Sequence, residues 1–526
     1  MVRKSMYMIL AGCLAVTLLC WGAAAETEKV FVEGRATDSL TLDPHDSTDG
    51  PSNGVSQQIF DNLVTFKDDS TEIVPALATS WETSEDGLVW TFHLREGVRF
   101  HDGTPFNAEA VVFNFERQRD KNHPAHEGKF VYWDYMFSNV EYTKKVDDYT
   151  VEIKLTEPYA PFLSNLACYP GRIVSPTAMT EKGVAYFRTH PVGTGPFRFV
   201  EWRKNDIILL EANKDYWGGK GGPYLDKLIF RVIPDDTARL MALMAGEITG
   251  MGGVTPETIK ILKEKKRSDI KVVANIGMNT GYLAMNNQVE PLNNPKVRLA
   301  IAHCIDKNQI VQEIFQNMGK PAKNIIPDSL WGYNQDIVDY EYNLEKAKEL
   351  LAEAGYPEGF ETELWYMPVS RPYMPNSKHV AQVIQRDLAR VGIKVSLVTF
   401  DWGTYLSKLH NLEHSMCLCG WMGDNGDPDN FLYVLFDKDN AVKGSAQNYA
   451  NYVNEEYHEL MMEAQKESEV AKRSALYKKA QEIFHRDVPA IPLAHGFNMV
   501  LVNEKVINFT FLPTGSNSYC EVDLKP

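Results

Sequence analysis

The sequence predicts an α/β protein of two or more lobes, and three observations lead there. The chain is long, 526 residues, and 44% hydrophobic, enough for more than one large core. Its first half is rich in short segments of alternating apolar and polar residues, the period of strands. Its second half alternates helix-period stretches with strand-period ones, the pattern of an α/β lobe.

From the start of the chain, Arg3 and Lys4 precede an apolar run, Met6 to Trp21, and then Gly22-Ala23-Ala24-Ala25 ahead of Glu26. A basic start, an apolar stretch and small residues form a secretory signal peptide, so residues 1–25 are expected to be removed. A competing reading takes Leu10-Ala11-Gly12-Cys13 as a lipoprotein box that would tether the protein through Cys13. Cys13 comes early in the apolar run, which favours cleavage after Ala25. No later segment approaches the ~20 apolar residues that span a bilayer.

Leu88 to Leu94 and Tyr149 to Leu155 read as strands. Asp306 can cap a helix running to about Met318, with Gly319 as its stop. Asn343 can cap Leu344 to Ala354, which places Leu344, Ala347, Leu350, Leu351 and Ala354 on one face before Gly355. Val380 to Val391 has the same rhythm, and Ile393 to Phe400 reads as a strand. Asp401-Trp402-Gly403 follows that strand, at the end where open α/β sheets place ligands.

Charge and cysteine content exclude several classes. Losing the signal removes two of 54 basic residues and none of 70 acidic ones, leaving a net charge of −18. A chain so acidic does not suit nucleic acid, which demands a basic face. Five cysteines then remain, Cys168, Cys304, Cys417, Cys419 and Cys520, too sparse and odd a set for a disulfide framework. One bridge stays open, its partners undetermined. His123 and His126 flank Pro124, which denies them the helical spacing of a metal face. The glycine-rich run from Gly218 to Gly222 lacks the spacing of a phosphate loop and reads as a surface turn. No nucleophile elbow or zinc-protease motif is present. No catalytic residue, metal site or cofactor is expected.

The order of several motifs resembles family 5 of the extracellular solute-binding proteins. They are Thr41-Leu42-Asp43-Pro44, Leu77-Ala78-Thr79-Ser80-Trp81, Gly87 to Phe92, Leu94 to Phe106, Gly193-Thr194-Gly195-Pro196-Phe197, Asn213 to Trp217 and Ile233 to Arg239. The resemblance covers essentially the whole mature chain. It implies a two-lobed, periplasmic-binding-protein-like fold, with an extra subdomain in the first lobe and a two-segment hinge. On that basis lobe I is expected to be 26–283 plus 495–526, with an inserted subdomain at roughly 65–195. Lobe II is expected to be 284–494. The crossings would lie near Tyr282 to Asn286 and near Pro492 to His495. It further implies a monomeric periplasmic protein that passes a small peptide ligand to an integral-membrane ABC permease.

Two segments narrow the ligand. Met367 to Tyr373 resembles the stretch with which dipeptide-binding members hold the ligand carboxylate, Arg371 being the clamp. Gly420 to Asn430 resembles their stretch for the ligand amino group, with Asp424 at the matching position. The chemistry agrees. A dipeptide is a zwitterion whose ends lie roughly 7 Å apart when extended. An arginine fork takes a carboxylate bidentately, and an aspartate takes an ammonium. Trp402 would supply a flat apolar wall, and Tyr373, Trp421, Asn425, Thr48, Asp49 and Tyr132 complete the candidate ligand-binding set. The bland readings are that Arg371 is a surface residue, that Trp402 belongs to the core, and that Asp424 to Asp429 is only a turn, Asp427 and Asp429 serving as turn or cap residues. A calcium loop is excluded by missing EF-hand glycine and glutamate spacing. The alternatives in the same fold are an oligopeptide, a glutathione-like peptide, haem or a metal chelate. A secreted hydrolase using Asp424 and Asp427 is the alternative of another class.

Overall fold

The computed structural model describes residues 28–67, 70–219, 223–512, 514–515 and 517–525. Residues 1–25, expected to be a signal peptide, with Cys13 among them, and Lys220, Gly221 and Gly222 of the glycine-rich run lie outside the described residues. No helix among the described residues is long and apolar enough to cross a membrane.

A twelve-stranded sheet runs through the molecule, and one long strand, Ala490–Asn503, is its spine. The first part of the spine pairs antiparallel with Asn279–Met285, and Gly319–Pro321 pairs across Ala494 to Gly496. Its second part pairs with Ile270–Ile276 and Gly250–Met251. On one side the sheet continues through Met416–Met422, Glu361–Trp365 and Lys394–Val398. On the other it continues through Val30–Arg35, Lys227–Val232, Ile207–Ala212 and Phe197–Arg203. A separate antiparallel sheet has the order Ala78–Thr83, Val89–Leu94, Thr150–Leu155, Val140–Asp147.

Side-chain pattern decides where each strand sits. Thr150–Leu155 alternates part-buried and buried positions, as a strand with one face on a core must. Asn279–Met285 is buried at all seven positions, because helices or loops cover both of its faces. Separate cores follow. One gathers buried residues from Met278 to Ala494, another from Leu63 to Ile173, and a third from Phe31 to Phe230 together with Val500 to Val522.

The expected helix starts hold. Asn343 Oδ1 accepts from Lys346 N at 3.0 Å and opens Leu344–Glu353, which buries Ala347, Leu350 and Leu351. Asp306 caps Gln309 N at 3.0 Å, but that helix ends at Glu313 and does not reach Met318. Gln316 and Asn317 take positive φ, of 50° and 60°, which ends the helical run. Gly319 begins a strand on the spine instead of capping the helix. His123 packs edge-on against Phe113, and His126 Nδ1 lies 2.9 Å from Arg117 O.

Candidate functional site

Arg371 is carried by a tight strap in which Arg371 N donates to Met374 O at 3.2 Å and Met374 N donates to Arg371 O at 2.9 Å. Three glycines seat the strap. A Cβ on Gly281 would lie 2.1 Å from Tyr373 O, and one on Gly496 would lie 2.2 Å from Pro372 O. A Cβ on Gly420 would strike the Tyr373 ring at 2.3 Å. These glycines belong to Asn279–Met285, the spine and Met416–Met422, so the strap rests where these three strands adjoin. The Arg371 guanidinium lies 5.4 Å from the Trp402 ring centroid, donates to Ser370 O at 3.1 Å, and neighbours the Tyr373 hydroxyl. Among the described residues no carboxylate pairs with it. Trp402 begins the helix Trp402–His410, whose N-cap Asp401 accepts from Thr404 N at 3.1 Å, and it stacks on Tyr405. The indole is therefore both a cavity wall and a platform under the guanidinium.

Asp424 sits on a loop fixed from below. Asn430 Oδ1 accepts from both Asp424 N, at 3.0 Å, and Trp421 Nε1, at 2.9 Å. Asp427 is wholly buried and forked by Arg473, with Nη1 to Oδ2 at 2.8 Å and Nη2 to Oδ1 at 2.9 Å. Gly426 has φ 67°, and a Cβ there would meet Thr71 at 2.8 Å, so conformation and space both require glycine. The Asp424 carboxyl is half-buried and pairs with no cation among the described residues. Burial pushes it up to about 7, against the smaller opposing pull of the Asn430 hydrogen bond.

Arg371, Tyr373, Trp402, Trp421, Asp424 and Tyr132 meet around one cavity of about 490 Å³. Tyr405, Gln447 and Tyr449 add to its walls. Through Tyr132, Met422 and Asp424 it adjoins a cavity of about 360 Å³ that Thr48 and Asp49 line with Tyr169 and Arg172. The Thr48–Asp49 segment is positioned upstream by Asp43, a buried carboxylate that accepts from Arg117 Nη1 at 3.2 Å. Asp49 in turn caps the helix Gly50–Ile59 by accepting from Ser52 N at 2.9 Å. Past Arg371 lies a further cavity of about 390 Å³, walled by residues such as Phe315 and Phe497.

The structure departs from expectation at Asn425, which lines none of these cavities. It is 4% exposed, donates to Asn165 Oδ1 at 2.7 Å and accepts from Asp427 N at 3.1 Å. Its amide is consumed as a pin between the loop and the first half of the chain. Sequence reasoning also missed Asn430, Arg473 and the three seating glycines. Asn430 stood inside the quoted motif with nothing to single it out, and Arg473 lies on a helix 46 residues beyond its partner.

An arginine and an aspartate, each without a counter-charge among the described residues, face one cavity beside a sheet that runs from core to core, and the fold is that of the two-lobed periplasmic binding proteins. The molecule is a transport protein and not an enzyme. The chain belongs to the bacterial extracellular solute-binding proteins, family 5, whose middle region matches residues 72–443. It is 39% identical over 485 residues to the dipeptide-binding protein of Escherichia coli (strain K12), covering 89% of this chain and 90% of that one. It is 38% identical over 519 residues to haem-binding protein A of Haemophilus influenzae, covering 95% and 93%. The periplasmic binding protein DppA of Helicobacter pylori, solved with the peptide STSA, superposes with a TM-score of 0.75 at 39% identity, covering 94% and 98%.

Proposed function

We propose that this protein captures dipeptides outside the cytoplasmic membrane, holds them by both charged ends, and delivers them to an ABC permease. One observation carries the reading. Arg371 and Asp424 are opposite charges on the walls of one cavity, and neither is paired with an opposite charge among the described residues. Each would complete the other end of a zwitterion, and leaving either ligand charge buried alone costs several kcal/mol. The relatives that bind dipeptides support the same ligand class. The protein acts as a monomer in the periplasm after cleavage behind Ala25, and its lobes divide where the spine strand passes from one core to the other.

Calorimetry with a dipeptide panel tests this. Arg371→Ala and Asp424→Ala should each weaken binding by about 2–4 kcal/mol, roughly 30- to 1000-fold in Kd. Parent-like affinity in both variants would overturn the clamp. A second reading, a longer peptide or other extended solute, is favoured by the cavities that continue past Arg371 and past Asp424. N-acetyl and C-amide dipeptides separate the two, since equal binding of blocked and free ligands supports the extended solute.

A further inference from the structure

The cavity of about 360 Å³ beyond Asp424 has a buried guanidinium in its wall. Arg172 follows the short turn Tyr169–Gly171 and is 6% exposed. Its backbone is pinned, with N donating to Tyr169 O at 3.3 Å and O lying 2.8 Å from His45 Nε2. The side chain is held at one nitrogen only. Nη1 donates to Asn53 O at 3.3 Å and to the Ser56 hydroxyl, both on the helix Gly50–Ile59. Nε and Nη2 donate to no group among the described residues, and neither is sealed off, so both can meet a group in the cavity.

No carboxylate among the described residues forms an ion pair with this cation. Asp49 lines the same cavity, but its Oδ1 accepts from Ser52 N at 2.9 Å at a helix start, and its charge bears on Arg35. Asp61 spends both oxygens on Thr194, Tyr216 and Trp217. Burial pushes Arg172 down to about 10, so it keeps its charge at neutral pH. A buried charge left unpaired is strongly unfavourable, and an arginine fork meets a carboxylate bidentately. The place of the ligand supplies that carboxylate. Asp424, Tyr132 and Met422 line both this cavity and the one that Arg371 faces. A ligand ammonium at Asp424 therefore stands at the junction of the two. With the ligand backbone running toward Arg371, the side chain of the N-terminal residue has the Arg172 cavity to enter.

We infer that Arg172 sets specificity for dipeptides whose N-terminal residue is acidic, glutamyl or aspartyl, by pairing with that side chain. The inference rests on the two-ended clamp proposed above. Calorimetry on the mature protein compares Glu-Ala, Gln-Ala, Ala-Ala, Ala-Glu and Ala-Gln. Glu-Ala should bind at least tenfold tighter than its isostere Gln-Ala, whereas Ala-Glu should hold no such advantage over Ala-Gln. Arg172→Gln should bring Glu-Ala and Gln-Ala to within about twofold of each other, with thermal melting reporting that the variant is folded. Equal affinity of the parent for Glu-Ala and Gln-Ala would overturn the inference and leave the clamp standing. An advantage of Ala-Glu as large as that of Glu-Ala would overturn it too, by placing the responsible cation elsewhere. Both comparisons use the parent alone, so they decide even where the variant does not fold. A gap that survives in folded Arg172→Gln would remove Arg172 from the role. If no free dipeptide binds, Ala-Ala included, the clamp falls and this inference falls with it.

Discussion

Asp424 carries a proton through part of the physiological range, because burial pushes its pKa up to about 7 and no cation among the described residues offsets the desolvation. The sign follows. Its folded pKa stands above the ordinary aspartate value of 3.8, so the ionised carboxylate disfavours the unliganded fold at neutral pH. That destabilisation is relieved as pH falls through about 7 toward the unfolded value. A ligand ammonium selects the ionised form. Dipeptide affinity should therefore fall about tenfold per pH unit below the Asp424 pKa and be flat just above it. Binding near pH 6.5 should also release a proton, read as a dependence of calorimetric enthalpy on the buffer. In Asp424→Asn both effects should vanish, and a pH profile identical to the parent's would remove Asp424 from the site. At this scale the sequence was legible where charge and motif coincide. Arg371 and Asp424 face the cavity, but their neighbour Asn425 does not, because successive residues of a turn point in different directions. No periodicity reveals which.

The loop from Trp421 to Asp429 is rigid because a helix far along the chain reaches back to it. Arg473 on Val470–Asp487 forks Asp427, Tyr477 joins the pair at the Arg473 guanidinium, and Trp331 Nε1 donates to Gly426 O at 3.1 Å. The Arg473 side chain is 5% exposed and Asp427 0%, so removing one partner strands a buried charge. Arg473→Ala should destabilise the fold by about 3–5 kcal/mol, measured as a lower urea midpoint at unchanged m-value. A loss under about 1 kcal/mol would mean that the loop is held chiefly by other contacts. Such elements show what a sequence conveys. The Asn343 helix was legible because its cap, apolar face and stop are all local. The Arg473–Asp427 pair was not, since a long-range ion pair leaves no periodic trace. The helix expected to run to Met318 failed for a related reason: Gly319 is a good helix stop, but the spine claimed it as a strand residue.

Across the whole molecule, both anchors lie on the side of the core spanning Met278 to Ala494, while the cavity and its neighbour are completed by Tyr132, Thr48 and Asp49 from the first half of the chain. The two sides already touch along a seam. Asn425 Nδ2 donates to Asn165 Oδ1 at 2.7 Å, Asn430 Nδ2 to the Tyr135 hydroxyl at 2.9 Å, and Ala160 N to Gln465 O at 2.7 Å. A ligand shifts a two-lobed protein toward closure only through contacts that differ between open and closed forms. In the proposed clamp Arg371 and Asp424 do not provide that difference, because both ride on one side, which leaves it to contacts such as the seam bonds. Asn165→Ala removes one seam bond and leaves Arg371 and Asp424 in place. Dipeptide binding should weaken by about 1 kcal/mol, roughly fivefold, mostly through faster dissociation. Discrimination against N-acetyl and C-amide ligands should stay as in the parent, since the end-reading charges are untouched. Stopped-flow dissociation rates with free and blocked dipeptides measure both quantities. Unchanged dissociation would show that the seam does not hold the closed form, and lost discrimination would place Asn165 or Asn425 against the ligand itself.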